Sequence, residues 1–327
     1  MTGARILFLS FLMILGFELS AQAAIFGLDT RRAILPGAAS NSIAKATAIA
    51  ILSSNTTANN DGTFKLDTGS AMNLCPNEKF ATDRDLQYSC TGFLIAPDLL
   101  VTAGHCVYAV NTPNKELKNE TGLACKAFSW LFDYQDTEKG KVDSEHVATS
   151  RLYGCKQIIY AKQTERAPFV DYALIQLDRP VLGRTPLTIA DYKPRVGAMI
   201  SMVGYPFGTP VKISDQARIT LDDPKRDSFL TTLDAFSGNS GSPVMDGSGR
   251  VLGILIGGTP SNDLVDDVAN KCQRLNKCTE SGTKCLLPDT NPADLPGYQG
   301  VGSEAQRIAP IAELLKQLKL ARSSPSL

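Results

Sequence analysis

The feature that most restricts this chain is its punctuation. Beyond residue 23 the apolar segments are short, rich in Val, Ile, Leu and aromatics, and broken by Gly, Pro, Asn and Asp. Residues 46–52, 90–95, 99–103, 127–134, 157–160 and 172–177 read as strands of a first half. Residues 198–205, 211–213, 217–221, 229–233 and 251–256 read as strands of a second. Many short strands without alternating long helices predict an all-β sandwich or barrel, not a parallel α/β sheet. The far end is the exception. Ile308, Ile311, Leu314, Leu315 and Leu318 recur at helical spacing, which predicts a C-terminal helix over 304–322. Pro310 falls early in it, where a first helical turn can tolerate proline, Lys316, Lys319 and Arg322 sit near its negative pole, and its apolar stripe should pack on the second β unit.

The first residues stand outside this pattern. Arg5 gives a positive start, 6–17 is an apolar run, and Ala21-Gln22-Ala23 fits a small-residue cleavage site. That run is too short to cross a bilayer of about 30 Å, so 1–23 is expected to be a signal peptide removed after Ala23, with a membrane anchor as the competing reading. Residues 24–42 are then an N-terminal or short pro-segment. Export gives the eight cysteines a compartment in which disulfides persist. No C-x-x-C pair is present and Cys272, Cys278 and Cys285 are widely spaced, which argues against zinc. The totals of 33 basic and 33 acidic residues carry no footprint for nucleic acid or an anionic membrane. Residues 53–84 and 259–297 read as loops, the second tied by cysteines.

Three short windows carry chemistry. Thr102-Ala103-Gly104-His105-Cys106 closes an apolar strand and holds one of only two histidines; a histidine is the natural general base near neutral pH. Asp171 opens the apolar run 172–177, where an aspartate is commonly just a cap or turn residue. Gly238-Asn239-Ser240-Gly241-Ser242-Pro243 surrounds one serine with small residues, so the backbone can turn tightly and a substrate carbonyl can approach. The order His, Asp, Ser, the serine at position 242 and the missing β/α alternation exclude an α/β-hydrolase. The other histidine, His146, lies among polar residues and reads as a surface residue.

In these windows the chain resembles the chymotrypsin-like serine peptidases. The resemblance implies two antiparallel six-stranded β-barrels, here over 43–180 and 181–303, with the site in the cleft between them. It implies a Cys90–Cys106 disulfide fixing the loop of His105, and a His105, Asp171, Ser240 triad. Asp171 would orient His105, which would take the proton of the attacking Ser240, while the N–H groups of Gly238 and Ser240 would form the oxyanion hole. No cofactor or metal is implied. The expected partners are protein or peptide substrates, with no nucleic acid, no membrane after signal cleavage, and a monomeric state. Asn239, where animal relatives have Asp, and the opening Ile25-Phe26-Gly27-Leu28-Asp29-Thr30-Arg31 look like the bacterial branch that includes glutamyl endopeptidases. Leu255 stands where that branch places a pocket histidine, so Glu preference is not expected. Asp234, six residues before the nucleophile, lies at the pocket base of trypsin-like enzymes and would favour Arg or Lys; local hydrogen bonding is its other reading. Gly257 and Gly258 are expected to form a rim along which substrate adds as a strand, the other reading being no more than a strand end. Cys125–Cys155 and one bridge within Cys272, Cys278 and Cys285 are expected besides. The resulting function is a secreted serine endopeptidase, against the rival of a catalytically inactive relative that binds proteins.

Overall fold

The computed structural model describes residues 24–69, 72–87, 89–107, 115–164, 170–222, 227–287 and 300–323, with side chains to 318. The expected signal peptide, 1–23, lies outside them. Two β units follow one another. The first is built from β1 (Thr47–Leu52), β2 (Cys90–Ala96), β3 (Leu99–Thr102), β4 (Glu116–Glu120), β5 (Phe128–Phe132), β6 (Leu152–Tyr153), β7 (Cys155–Gln163) and β8 (Asp171–Leu177). They pair in the order β6-β5-β1-β2-β3-β8-β7-β4, with antiparallel ladders throughout. The second contains β9 (Met199–Gly204), β10 (Lys212–Leu221), β11 (Ser228–Thr231), β12 (Pro243–Asp246), β13 (Val251–Thr259) and β14 (Gly302–Arg307). These run β9-β12-β13-β14-β11-β10, and β10 pairs back to β9, closing a six-stranded antiparallel barrel.

The first unit does not close by hydrogen bonds in the same way. The outer edge of β7 is taken by β4 and that of β5 by β6, so the curled sheet stays open there. The Cys125–Cys155 disulfide joins the short helix Leu123–Lys126, just before β5, to the start of β7, linking the two sides covalently. Strand composition explains the burial. Every residue of β3 is buried, and Trp130, Leu131 and Phe132 of β5 are nearly inaccessible. Each such side chain contributes roughly 1.5–3 kcal/mol when removed from water.

The C-terminal expectation needs a correction. The helix covers Ala309–Ser323, and residues 302–307 form the central strand β14 instead. Ser303, Ala305 and Gln306 are fully buried between β13 and β11, and a barrel missing that strand would leave two edges unpaired. Ile308 and Ile311 belong to a core cluster that takes Ile49 and Leu174 from the first unit and Val203 and Ile254 from the second. Leu314, Leu315 and Leu318 pack against it. The helix therefore serves both units, not only the second.

Two chain segments tie the units together. Residues 24–33 cross onto the second: Ile25–Phe26 pairs in parallel with Lys277–Cys278, and Arg32–Ala33 pairs with β10. The insertion between β13 and β14 forms a hairpin, Leu264–Asp267 with Cys272–Leu275. It is cross-linked by Cys75–Cys272 to the loop before β2 and internally by Cys278–Cys285.

Candidate active site

The strand β3 ends at Thr102 and delivers His105 into a single 3-10 turn, His105–Val107. Cys106 is bridged to Cys90 at the start of β2, so the turn is anchored to the neighbouring strand. Asp171 begins β8, which pairs with β3, and this brings the carboxylate beneath the turn. One oxygen, Oδ2, is 2.7 Å from His105 Nδ1, and Oδ1 accepts the His105 backbone N–H at 2.9 Å. Gly104 permits that approach, since a Cβ there would lie 2.3 Å from the Lys162 carbonyl and 2.9 Å from Asp171 Oδ1. Burial pushes the His105 pKa down, but the charge of Asp171 and its hydrogen bond outweigh it, leaving the imidazole above the ordinary histidine value. The two side chains are only 15% and 13% exposed.

Asp171 has a further partner that the sequence did not disclose. Its N–H donates to Gln306 Oε1 at 3.0 Å, and Gln306 Nε2 donates to the Asp227 carbonyl at 2.8 Å. Gln306 is fully buried on β14, so a side chain of the second unit fixes the start of the aspartate strand of the first. A lone glutamine in a polar stretch carries no local signal for such a role.

The serine lies on the loop 234–242, held at nearly every residue. Thr91 of β2 donates its hydroxyl to the Gly238 carbonyl at 2.8 Å and its N–H to the Ser240 carbonyl at 2.7 Å. The N–H groups of Asn239 and Gly241 donate to Phe236 and Leu255 carbonyls. Among the described residues the alternate N–H groups, those of Gly238 and Ser240, have no acceptor. This is the pair expected to receive an oxyanion. Cys106 Sγ is 3.7 Å from the Ser240 carbonyl, so the histidine turn and the serine loop are in contact. The Ser240 side chain makes no hydrogen bond among the described residues. Asn239 is buried, and its Oδ1 and the Ser242 hydroxyl lie over Gly204, whose missing Cβ leaves them room.

The remaining expected residues fall in different places. Gly257 and Gly258 pair with Glu304 and Ser303 of β14 on one side. The ladder of β13 with β12 stops at Ile254, so beyond Leu255 the other edge has no strand partner among the described residues. Asp234 is 1% exposed, and its carboxylate accepts the N–H groups of Phe26 and Thr30 and the Thr30 hydroxyl. It is not left free in a pocket. His146 is exposed, with Nδ1 3.8 Å from Asp143. Cys90, His105 and Cys106 bring three potential metal-ligand atoms together, but both sulfurs are spent in the disulfide and neither is a thiolate. No helix among the described residues is long and apolar enough to cross a membrane.

The chain is similar to several known proteins. The serine proteases MT3772 and Rv3671c of Mycobacterium tuberculosis, from strains CDC 1551 / Oshkosh and H37Rv, are each 33% identical over 102 residues. That stretch is 28% of this chain and 25% of theirs, so the match spans about a quarter of those relatives' length. An inactive form of Rv3671c, also from M. tuberculosis H37Rv, superposes with a TM-score of 0.43 at 15% identity, covering 90% of this chain and 95% of that one. A Glu endopeptidase in complex with MPD superposes with a TM-score of 0.43 at 17% identity, covering 90% and 99%. The family model of the trypsin-like peptidase domain matches residues 90–254, a span holding the Cys90 bridge, His105, Asp171 and Ser240: the chain belongs to that family.

Proposed function

We propose that this chain is an exported serine endopeptidase in which His105, Asp171 and Ser240 act as a triad. The observation that carries the reading is the 2.7 Å contact between His105 Nδ1 and Asp171 Oδ2. It directs the imidazole proton to the carboxylate and leaves Nε2 as the base. His105 takes the Ser240 proton as the oxygen attacks a peptide carbonyl, and the N–H groups of Gly238 and Ser240 stabilise the charge on the tetrahedral oxygen. His105 then protonates the leaving amine, and water hydrolyses the acyl-enzyme. Substrate backbone adds along Gly257 and Gly258, the half of β13 whose outer edge is open. Export is supported by the leader-like opening and by the four disulfides.

The rival, an inactive binding relative, would follow from the loss of any triad side chain, and each is present. Mature protein should be labelled at Ser240 by a fluorophosphonate and should cleave a mixed peptide library, while Ser240→Ala does neither. Folded protein that takes no label and leaves every peptide intact sinks the enzyme reading.

A further inference from the structure

The sequence position of Asp234 suggests a carboxylate waiting for a cationic side chain, and its surroundings do not match that task. Oδ2 accepts two hydrogen bonds from Thr30, at 2.8 Å from the N–H and 2.9 Å from the hydroxyl. Oδ1 accepts the N–H of Phe26 at 2.9 Å. A carboxylate has about four lone-pair sites, two on each oxygen; both sites of Oδ2 are filled, so the two-pronged grip on a guanidinium cannot close. The donors are main-chain groups and one hydroxyl, with no cation among them, and burial raises the Asp234 pKa. The one nearby charge that acts on it, Asp29, is already matched, since it binds Arg31 with both oxygens.

The same segment reaches the serine loop a second time. The Arg31 guanidinium lies 4.7 Å from the centre of the Phe236 ring and 5.5 Å from that of Phe80. Phe236 stacks on Phe207 at 4.8 Å and shares a core cluster with Ile25, and its carbonyl accepts the Asn239 N–H. Residues 25–31 therefore grip the loop at Asp234 and Phe236, on the approach to Gly238 and Ser240. Asp234 N–H is itself held by the Ser214 hydroxyl at 3.0 Å.

We infer that Asp234 is a positioning residue that fixes the serine loop through residues 26–30, and that the primary pocket selects uncharged side chains over Arg and Lys. The inference rests on the peptidase reading above. With its carboxylate sequestered, a substrate Arg or Lys entering the pocket loses hydration without gaining a counter-charge. Removing the carboxylate then loosens the loop for every substrate alike instead of abolishing one class.

The test uses the mature full chain, with active sites counted by fluorophosphonate labelling and kcat/KM measured on peptides that differ only at the residue before the cut. Wild type should cleave after uncharged residues such as Leu or Ala at least about tenfold better than after Arg or Lys. Asp234→Asn should lower kcat for all of them by roughly ten- to a hundredfold with KM little changed, and the Arg-to-Leu ratio should stay where it was. Thr30→Val, which removes one of the three hydrogen bonds, should act in the same direction and less strongly. It also serves if Asp234→Asn does not fold. Arg or Lys preferred by the wild type, or a loss in either variant confined to those two, overturns the inference while leaving the peptidase intact. A wild type that takes no label overturns both.

Discussion

Replacing Asp171 by Asn tests the centre of the mechanism, because the side chain keeps its shape and loses one acceptor. Asp171 serves two donors, the His105 backbone N–H at 2.9 Å and the ring at 2.7 Å. The backbone group can only donate, so the asparagine oxygen must face it; turned the other way, a buried N–H would be orphaned at about 1–3 kcal/mol. The amide NH2 then faces Nδ1, which has to accept. The ring proton moves to Nε2, and His105 in that tautomer cannot take the Ser240 proton. Such a change costs a Ser-His-Asp triad on the order of 10⁴ in kcat, or about 5.5 kcal/mol at 1.36 kcal/mol per decade. A second signature follows from charge. Burial acts to lower the His105 pKa, and the Asp171 charge and hydrogen bond together raise it. Because the base must be neutral, wild-type activity should fall with decreasing pH through a pKa above the ordinary histidine value. In Asp171→Asn the residual activity should hold to lower pH. The assay is kcat/KM against pH for both proteins, with unfolding measured separately. A loss under tenfold, or an acid limb that does not move down, refutes the assignment of Asp171.

Further outcomes follow from the same geometry. Gly241 has φ +88°, and a Cβ there would lie 2.0 Å from the Thr91 carbonyl and 2.2 Å from the Thr102 hydroxyl. Gly241→Ala should cost roughly 2–5 kcal/mol in urea unfolding, summing the left-handed backbone and the overpacking, and should abolish labelling of Ser240. Gln306→Leu removes the acceptor for Asp171 N–H and should lower kcat with KM unchanged. Gln306→Glu keeps that acceptor and, held protonated by burial, can still donate to the Asp227 carbonyl, so it should recover part of the rate. Replacing Cys75 and Cys272 together by Ser opens a link spanning 197 residues and should cost about 5 kcal/mol of stability on the loop-entropy account, read as a shift in the urea midpoint. In Ser240→Ala, the raised His105 pKa should contribute stability that is complete below the unfolded histidine pKa and lost as pH rises through the folded one. Its melting temperature should therefore fall over the pH range in which the wild type gains activity.

Much of this site could be read without coordinates because its parts are local. The windows around His105 and Ser240 are each a few residues long, and the strands that carry them show as apolar runs bounded by Gly, Pro and Asp. What escaped the sequence depends on distant pairing. Residues 302–307 include Ser303, Glu304 and Gln306, which promise no buried strand; only the ladders to β11 and β13 make one. The helical spacing that begins at Ile308 has no boundary signal in the sequence to stop it from running back over them. The partners of Asp234 are mostly backbone N–H groups, which every residue but proline has, so nothing in the string of letters marks Phe26 and Thr30. Gln306 is invisible for the same reason: its importance lies in what the barrel sets beside it.

The serine loop is assembled from the whole length of the chain. Its supports come from residues 26–31, Thr91, Leu255 and Asp263, and the Phe26–Asp234 and Thr91–Gly238 bonds join residues 208 and 147 positions apart. Contacts of such separation are costly to form early and gather late in folding. The start of the Asp171 strand waits likewise on Gln306 of β14, so both the histidine turn and the serine loop should become ordered only when the C-terminal strand has joined its barrel.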